Sequence, residues 1–364
     1  MRALCASRKF DAFVAAIASA SSTSRAEGGD AASNSPTRVP GSAATSARRR
    51  SSSAAVAGVS TAGPVLYRRS FAWRPAAHAF VQPGASDGAD EVVFRLASAD
   101  ALASLVSDHV VKGRVVFPAA GYLEAARAAW CMSQSSSAGA MLRSVVFVQP
   151  LVLSEVGADA LVVECALTPS HSFVVRSSEH AQPQAIHIQG MVSPLVASPK
   201  QMTLLRAVNR TAAVLAADLY AACHAYDLQY GPKFRTLARV WLTGQTGSAI
   251  ATLRALQFGG FAVHPAHLDG ALQVSLAPHY ASVAGSQLRL PFALSSANVS
   301  SAHSKLWAWM SERDDGSADG SLTNGDGSYA VEIVGFRRRA VSSLTAEHGS
   351  RHSYVTRWRL AGHS

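Results

Sequence analysis

One arrangement occurs twice in this chain and limits what it can fold into: a β-prone run, a proline, then an alanine-rich segment with helical periodicity. In the first copy, HVVKGRVVFP (residues 109–118) leads into residues 119–130, where Tyr122, Leu123, Ala126, Ala129 and Trp130 recur at helical spacing. Pro118 suits the first helical position, because it has no N–H to leave unpaired there. In the second copy, Pro265 opens a helix whose apolar stripe is Leu268, Ala271, Leu272 and Leu276. This is the mark of a weak internal duplication whose second half has diverged.

Between and around these copies the pattern is mostly β. Residues 91–96, 143–148, 161–167, 172–175 and 185–191 read as short strands separated by turn residues. Residues 211–224 read as a helix, 238–242 and 248–253 as strands, 314–327 as a polar loop and 329–337 as a closing strand. A helix followed by several strands predicts a sheet wrapped round a helix, an α+β layer. The expected organisation is a disordered or transit-like segment at 1–62, a first half at 63–192, a linker at 193–210, a second half at 211–345 and a tail at 346–364.

The net charge of +10 is not a nucleic-acid signal. Residues 1–70 hold ten Lys/Arg against three Asp/Glu, which accounts for +7 of it, and that segment is too rich in Ser, Ala and Arg to bury a core. The chain as a whole is 48% hydrophobic with only 15% charged residues, enough for a sizeable core. No apolar run reaches the roughly 18 residues that a membrane helix needs. Cys5, Cys131, Cys165 and Cys223 are widely spaced and show no metal-ligand pattern, which predicts free, buried thiols in a reducing compartment. No phosphate loop is present. The expected location is the cytoplasm, or a plastid or mitochondrion if residues 1–62 act as a transit peptide.

The candidates for chemistry lie in the two copies. His109 offers an imidazole, a good base near neutral pH. Gly113 permits close backbone approach to a ligand. Asp269 sits in an otherwise apolar segment, the setting that keeps a carboxyl group protonated. Gln273, four residues on, shares its helical face and can orient it. Tyr122 and His264 read as core or pocket wall, and His267 as a surface residue.

Residues 109–118 resemble the HxxxGxxxxP signature of the dehydratase domains of type I polyketide synthases and animal-type fatty acid synthases, complete at His109, Gly113 and Pro118. The family often has glycine where this chain has Ala119. His264 to Gln273 is similar to the family's HPAxLDxxxQ motif, Tyr230 to Phe234 to its YGPxF motif, and residues 290–292 to a shorter LPF signature. Asp227 and Gln229, just before Tyr230, look atypical. The four motifs stand in the family's order over about residues 75–345. The resemblance implies a double hot-dog fold: two halves in one chain, each a curved antiparallel sheet around a central helix. It implies His109 as base and Asp269 as acid, with Tyr230 and Gln273 assisting. Gly113, Pro118, Gly231 and Pro232 would shape the substrate site, the Gly113 N–H holding the thioester carbonyl. The implied reaction is loss of water from a β-hydroxyacyl chain to give a trans-enoyl thioester. The chain would be carried on the phosphopantetheine of an acyl carrier protein, with no metal or other cofactor. The implied partners are that carrier, neighbouring synthase domains and a second copy of the chain. Two other readings remain open at this point. The scaffold also suits a product-template, double-bond-shifting or pyran-forming domain, and it suits a non-catalytic carrier-docking remnant of a megasynthase.

Overall fold

The computed structural model describes residues 78–84, 91–153, 161–179, 184–195, 210–257, 259–280, 288–303 and 305–340. The chain divides into two units, residues 1–67 and 68–364, and every described residue belongs to the second. The segment 1–62, the tail 346–364 and most of the 193–210 linker lie outside the described residues.

The elements run in this order: β1 (Val81–Pro83), β2 (Val92–Leu96), α1 (Ala99–Val106), β3 (His109–Val111), β4 (Arg114–Val115), α2 (Ala119–Ser133), β5 (Ala140–Phe147), β6 (Leu161–Leu167), β7 (Ser172–Glu179), β8 (Ala185–Pro194) and β9 (Arg210–Val214). Then come α3 (Ala216–Ala225), β10 (Leu228–Tyr230), β11 (Leu237–Thr243), β12 (Ser248–Leu253), α4 (Pro265–Gln273), a 3₁₀ extension (Val274–His279), β13 (Arg289–Val299), β14 (Leu306–Glu312), β15 (Ala318–Asn324) and β16 (Tyr329–Ala340).

Thirteen strands form one sheet in the order β1-β2-β6-β7-β8-β5-β13-β16-β15-β14-β12-β11-β9. Strands from early in the chain fill one end and later strands the other. They meet where β5 pairs antiparallel with β13, Leu142 opposite Ala297. Each end wraps a helix. Every residue of α2 from Ala120 to Cys131 is buried, and all of α4 is buried. A helix that is apolar nearly all round has no face to give to solvent. Its many alanines let strands approach on several sides: α2 packs against β5, β6 and β8, while α4 and its extension pack against β11, β12, β14 and β15. The two helices also touch each other. The result is a helix wrapped by sheet, twice over. A second, three-stranded sheet, β10-β3-β4, ties the two parts together, because β10 comes from the later part and β3 from the earlier.

The structure departs from the sequence reading in four places. Residues 210–214 are the exposed edge strand β9, paired with β11, and the helix begins only at Ala216. The expected loop at 314–327 contains β15, which lies between β14 and β16. Its small polar residues suit that place: a Cβ on Gly320 would run into the Met310 sulfur and the Trp309 carbonyl. Tertiary packing here overrides a composition that reads as a turn. Pro118 is the N-cap of α2, one residue before the first helical position. Helix α1, capped by the Ser98 hydroxyl, was not expected.

Candidate active site

His109 begins β3, and the residues after it explain the HxxxG spacing. Lys112 and Gly113 both have positive φ, 49° and 75°, the pair of left-handed residues that a two-residue hairpin turn requires. The turn folds β4 back beside β3 and brings Val116 against His109. The Val116 N–H donates to the His109 carbonyl at 3.1 Å, and His109 Nδ1 donates to the Val116 carbonyl at 2.7 Å. That second bond assigns the proton to Nδ1 and leaves the Nε2 lone pair free to act. Gly113 is exposed at the hairpin tip, and it does not line the cavity that His109 faces. Its observed part is the turn; this geometry does not place its N–H on the cavity wall.

Asp269 lies in α4, fully inside the fold, with 5% exposure. Its Oδ1 is 3.9 Å from His109 Nε2. Its Oδ2 accepts from Gln273 Nε2 at 2.8 Å. The Gln273 amide is itself held in one orientation: its Nε2 also donates to the Phe234 carbonyl at 3.1 Å, and its Oε1 accepts from the Tyr220 hydroxyl at 3.0 Å. Tyr220 in turn accepts the Leu237 N–H. Burial pushes the Asp269 carboxyl above its ordinary pKa, and His109 and the Gln273 hydrogen bond only partly offset this.

A cavity of about 290 Å³ opens between the two groups, and its wall is mainly apolar. Tyr230 stands on that wall opposite His109 in the β3–β10 ladder, with ring centroids 5.7 Å apart. Burial and the nearby Asp269 hold the Tyr230 phenol well above its usual pKa, so it stays protonated. The Phe234 ring also packs on the imidazole, with centroids 5.3 Å apart. Tyr122 also lines the cavity.

Pro118, Gly231 and Pro232 do not reach the cavity wall. Pro118 starts α2, while Gly231 and Pro232 form the turn after β10. Asp108 organises that turn. Its carbonyl accepts the Gly231 N–H at 2.7 Å and its carboxylate accepts the Lys233 N–H at 2.6 Å. A Cβ on Gly231 would strike the Asp108 side chain. The two residues that looked atypical have plain places. Asp227 is left-handed, φ 62°, and its carbonyl accepts the Lys112 N–H; Gln229 pairs with Val110 in the ladder.

His264 caps α4, its Nδ1 accepting the Ala266 N–H at 3.1 Å. Burial, with His267 adding to it, lowers its pKa to about 4, so it is neutral. His267 is not a surface residue: it is 1% exposed and its Nε2 donates to the Arg254 carbonyl at 2.9 Å. An α4 that is buried on every side leaves no solvent face for it. Cys131, Cys165 and Cys223 are free and buried, and burial pushes the Cys165 and Cys223 thiols up to about 12.

Two family models match the chain in series: polyketide synthase dehydratase domain over residues 78–178 and polyketide synthase dehydratase N-terminal domain over residues 202–348. This chain belongs to the polyketide synthase dehydratase family. Polyketide synthase ThaG of Burkholderia thailandensis is 33% identical over 254 residues, which is 65% of this chain and 4% of that protein. Polyketide synthase GfsE of Streptomyces halstedii is 35% identical over 205 residues, 52% of this chain and 5% of that protein. The chain thus spans only a small part of the curated relatives it matches. The dehydratase domain from the CurF module of curacin polyketide synthase superposes with a TM-score of 0.64 at 23% identity, covering 73% of this chain and all of that one. The double hot-dog fold is shared.

Within this dehydratase-family site, sequence reasoning missed Asp108 and Tyr220, and it read Phe234 only as the end of a motif. Asp108 carried a signal, an acidic residue next to His109. Tyr220 carried none, since its contact with Gln273 spans 53 positions. Gly270 was read only as part of a motif, but it leaves no room for a side chain against Thr236. A Cβ there would run into the Thr236 hydroxyl, which is itself bonded to the Ala266 carbonyl. Gly270→Ala is therefore expected to destabilise by about 1–3 kcal/mol through overpacking. It should also displace Asp269 and cut turnover. Urea denaturation and kcat check it, and unchanged values in both would refute the tight contact.

Proposed function

We propose that this domain removes water from a β-hydroxyacyl thioester carried on the phosphopantetheine arm of an acyl carrier protein, giving a trans-enoyl thioester. The observation that carries the reading is the pairing of His109 Nε2 with a buried Asp269 carboxyl, 3.9 Å apart across one cavity. Elimination needs a base for the α-proton and an acid for the departing hydroxyl. His109 has its Nδ1 proton pinned to Val116, so Nε2 takes the α-proton. The C–H electrons become the Cα=Cβ bond, and the Cβ–O bond breaks as Asp269 protonates the leaving oxygen. Water departs. The proton gained by His109 then returns the carboxylate to its acid form. Two environments thus separate the roles: a tautomer-locked imidazole and a carboxyl whose pKa burial raises.

Other observations agree. Arg289, Arg338 and Arg339 contribute to the cavity wall and suit an anionic arm. For the CurK dehydratase, a histidine-to-phenylalanine and an aspartate-to-asparagine variant are each named inactive mutants. The long relatives support a place among neighbouring synthase domains. Among the described residues, no helix is long and apolar enough to cross a membrane.

The test is incubation of the protein with a β-hydroxyacyl thioester of a small thiol or of carrier protein, read by mass spectrometry. Loss of one water with formation of a conjugated double bond supports dehydration. Isomerisation without mass loss, or unreacted substrate, rejects it. The pH dependence has a defined sign. Only protonated Asp269 donates, and its pKa is raised, so the rate should persist past the usual carboxylate range and fall as pH rises through that elevated value. A rate with no descending limb on the alkaline side would count against Asp269 as acid.

A further inference from the structure

Glu124 on α2 is wholly buried and was not part of the site as read from sequence. Burying a carboxylate is costly, and an apolar side chain of similar size would fill a helix–helix contact without that cost. Its partners explain its presence. The carboxylate accepts from Arg127 Nε at 2.8 Å and Nη2 at 2.9 Å, and it pairs with His78 Nε2 at 3.0 Å. Its last partner lies 138 positions away, the Ala262 N–H at 2.9 Å.

Ala262 stands at the head of α4. Its carbonyl accepts the Ala302 N–H, and the Phe261 ring packs on His78, Phe80 and His264. From there to Asp269 the chain has little freedom: Val263 is buried, His264 caps the helix and Pro265 opens it. The chain from Glu124 back to His109 is equally constrained, through α2, Pro118 and the hairpin locked by Val116. We propose that Glu124 is a positioning residue: by holding the Ala262 N–H it braces α2 against the start of α4 and sets the His109–Asp269 separation. The proposal rests on the reading of those two as the reacting pair. Burial alone would raise the Glu124 pKa, but Arg127 and His78 outweigh it and keep the group ionised.

Glu124→Leu alone strands Arg127, so the test compares two double variants. Glu124→Gln with Arg127→Met removes the ion pair but keeps a side-chain oxygen for Ala262. Glu124→Leu with Arg127→Met removes both. Ala262→Pro, a third variant, deletes the N–H and leaves every charge in place. The leucine double and Ala262→Pro should lose about tenfold or more in kcat with KM little changed, as expected of a misplaced reacting group, while the glutamine double restores kcat. Crystal structures should show Nε2 to Oδ1 near 3.9 Å in the glutamine double and longer in the other two. Equal kcat in the two doubles, or an unchanged separation without the Ala262 bond, overturns the proposal. If the wild type does not dehydrate, the functional reading falls, and the crystallographic separation still decides whether Glu124 positions the pair.

Discussion

Asp269→Asn is expected to lower dehydration by roughly 10²–10⁴-fold, the usual contribution of a positioned general acid. The amide has the shape of the acid, and its oxygen can still accept from Gln273, so the fold should persist. What it lacks is a proton to give the leaving hydroxyl. The same substitution should act oppositely on stability. The folded pKa of Asp269 is raised by burial above its unfolded value. Its stabilising contribution is therefore fully present below the unfolded pKa and is lost as pH rises through the folded one. Asparagine does not titrate. The variant should gain on wild type in urea midpoint as pH rises across that window, with the smallest gap at acid pH. Parallel stability curves would mean the carboxyl is not held protonated, and the acid role would go with it. His109→Phe should match the loss of activity.

Glu124→Leu is expected to destabilise the fold by about 3–5 kcal/mol, the range for breaking a buried ion pair from one side. The leucine leaves the Arg127 guanidinium, 6% exposed, with its main anionic partner gone and the Ala262 N–H without an acceptor. Much of the effect is the stranded charge, so adding Arg127→Met should recover most of it. Denaturation midpoints of the single and double variants measure both steps. A single variant as stable as wild type would show that water or another group takes the carboxylate's place.

Much of the site could be read from local sequence because the local physics is strong. The HxxxG spacing is a strand followed by a left-handed turn, and Lys112 and Gly113 adopt it. Asp269 and Gln273 share a helical face because four residues make just over a turn, and they do bond. The misreadings came where neighbours in space outvoted neighbours in sequence. His267 looked polar enough for a surface, but α4 has no surface. Residues 318–324 looked like a loop, yet two flanking strands supply their hydrogen bonds and require a residue as small as Gly320.

The order of residues by itself determined the strand–proline–helix repeat and the family to which the motifs point. It did not determine that His109 and Asp269, 160 positions apart, would stand 3.9 Å from each other. That followed from β10 pairing with β3, β5 with β13, and Glu124 reaching the Ala262 N–H. Each of these contacts closes a long loop, and its free energy is realised only once the rest of the fold has already ordered both ends.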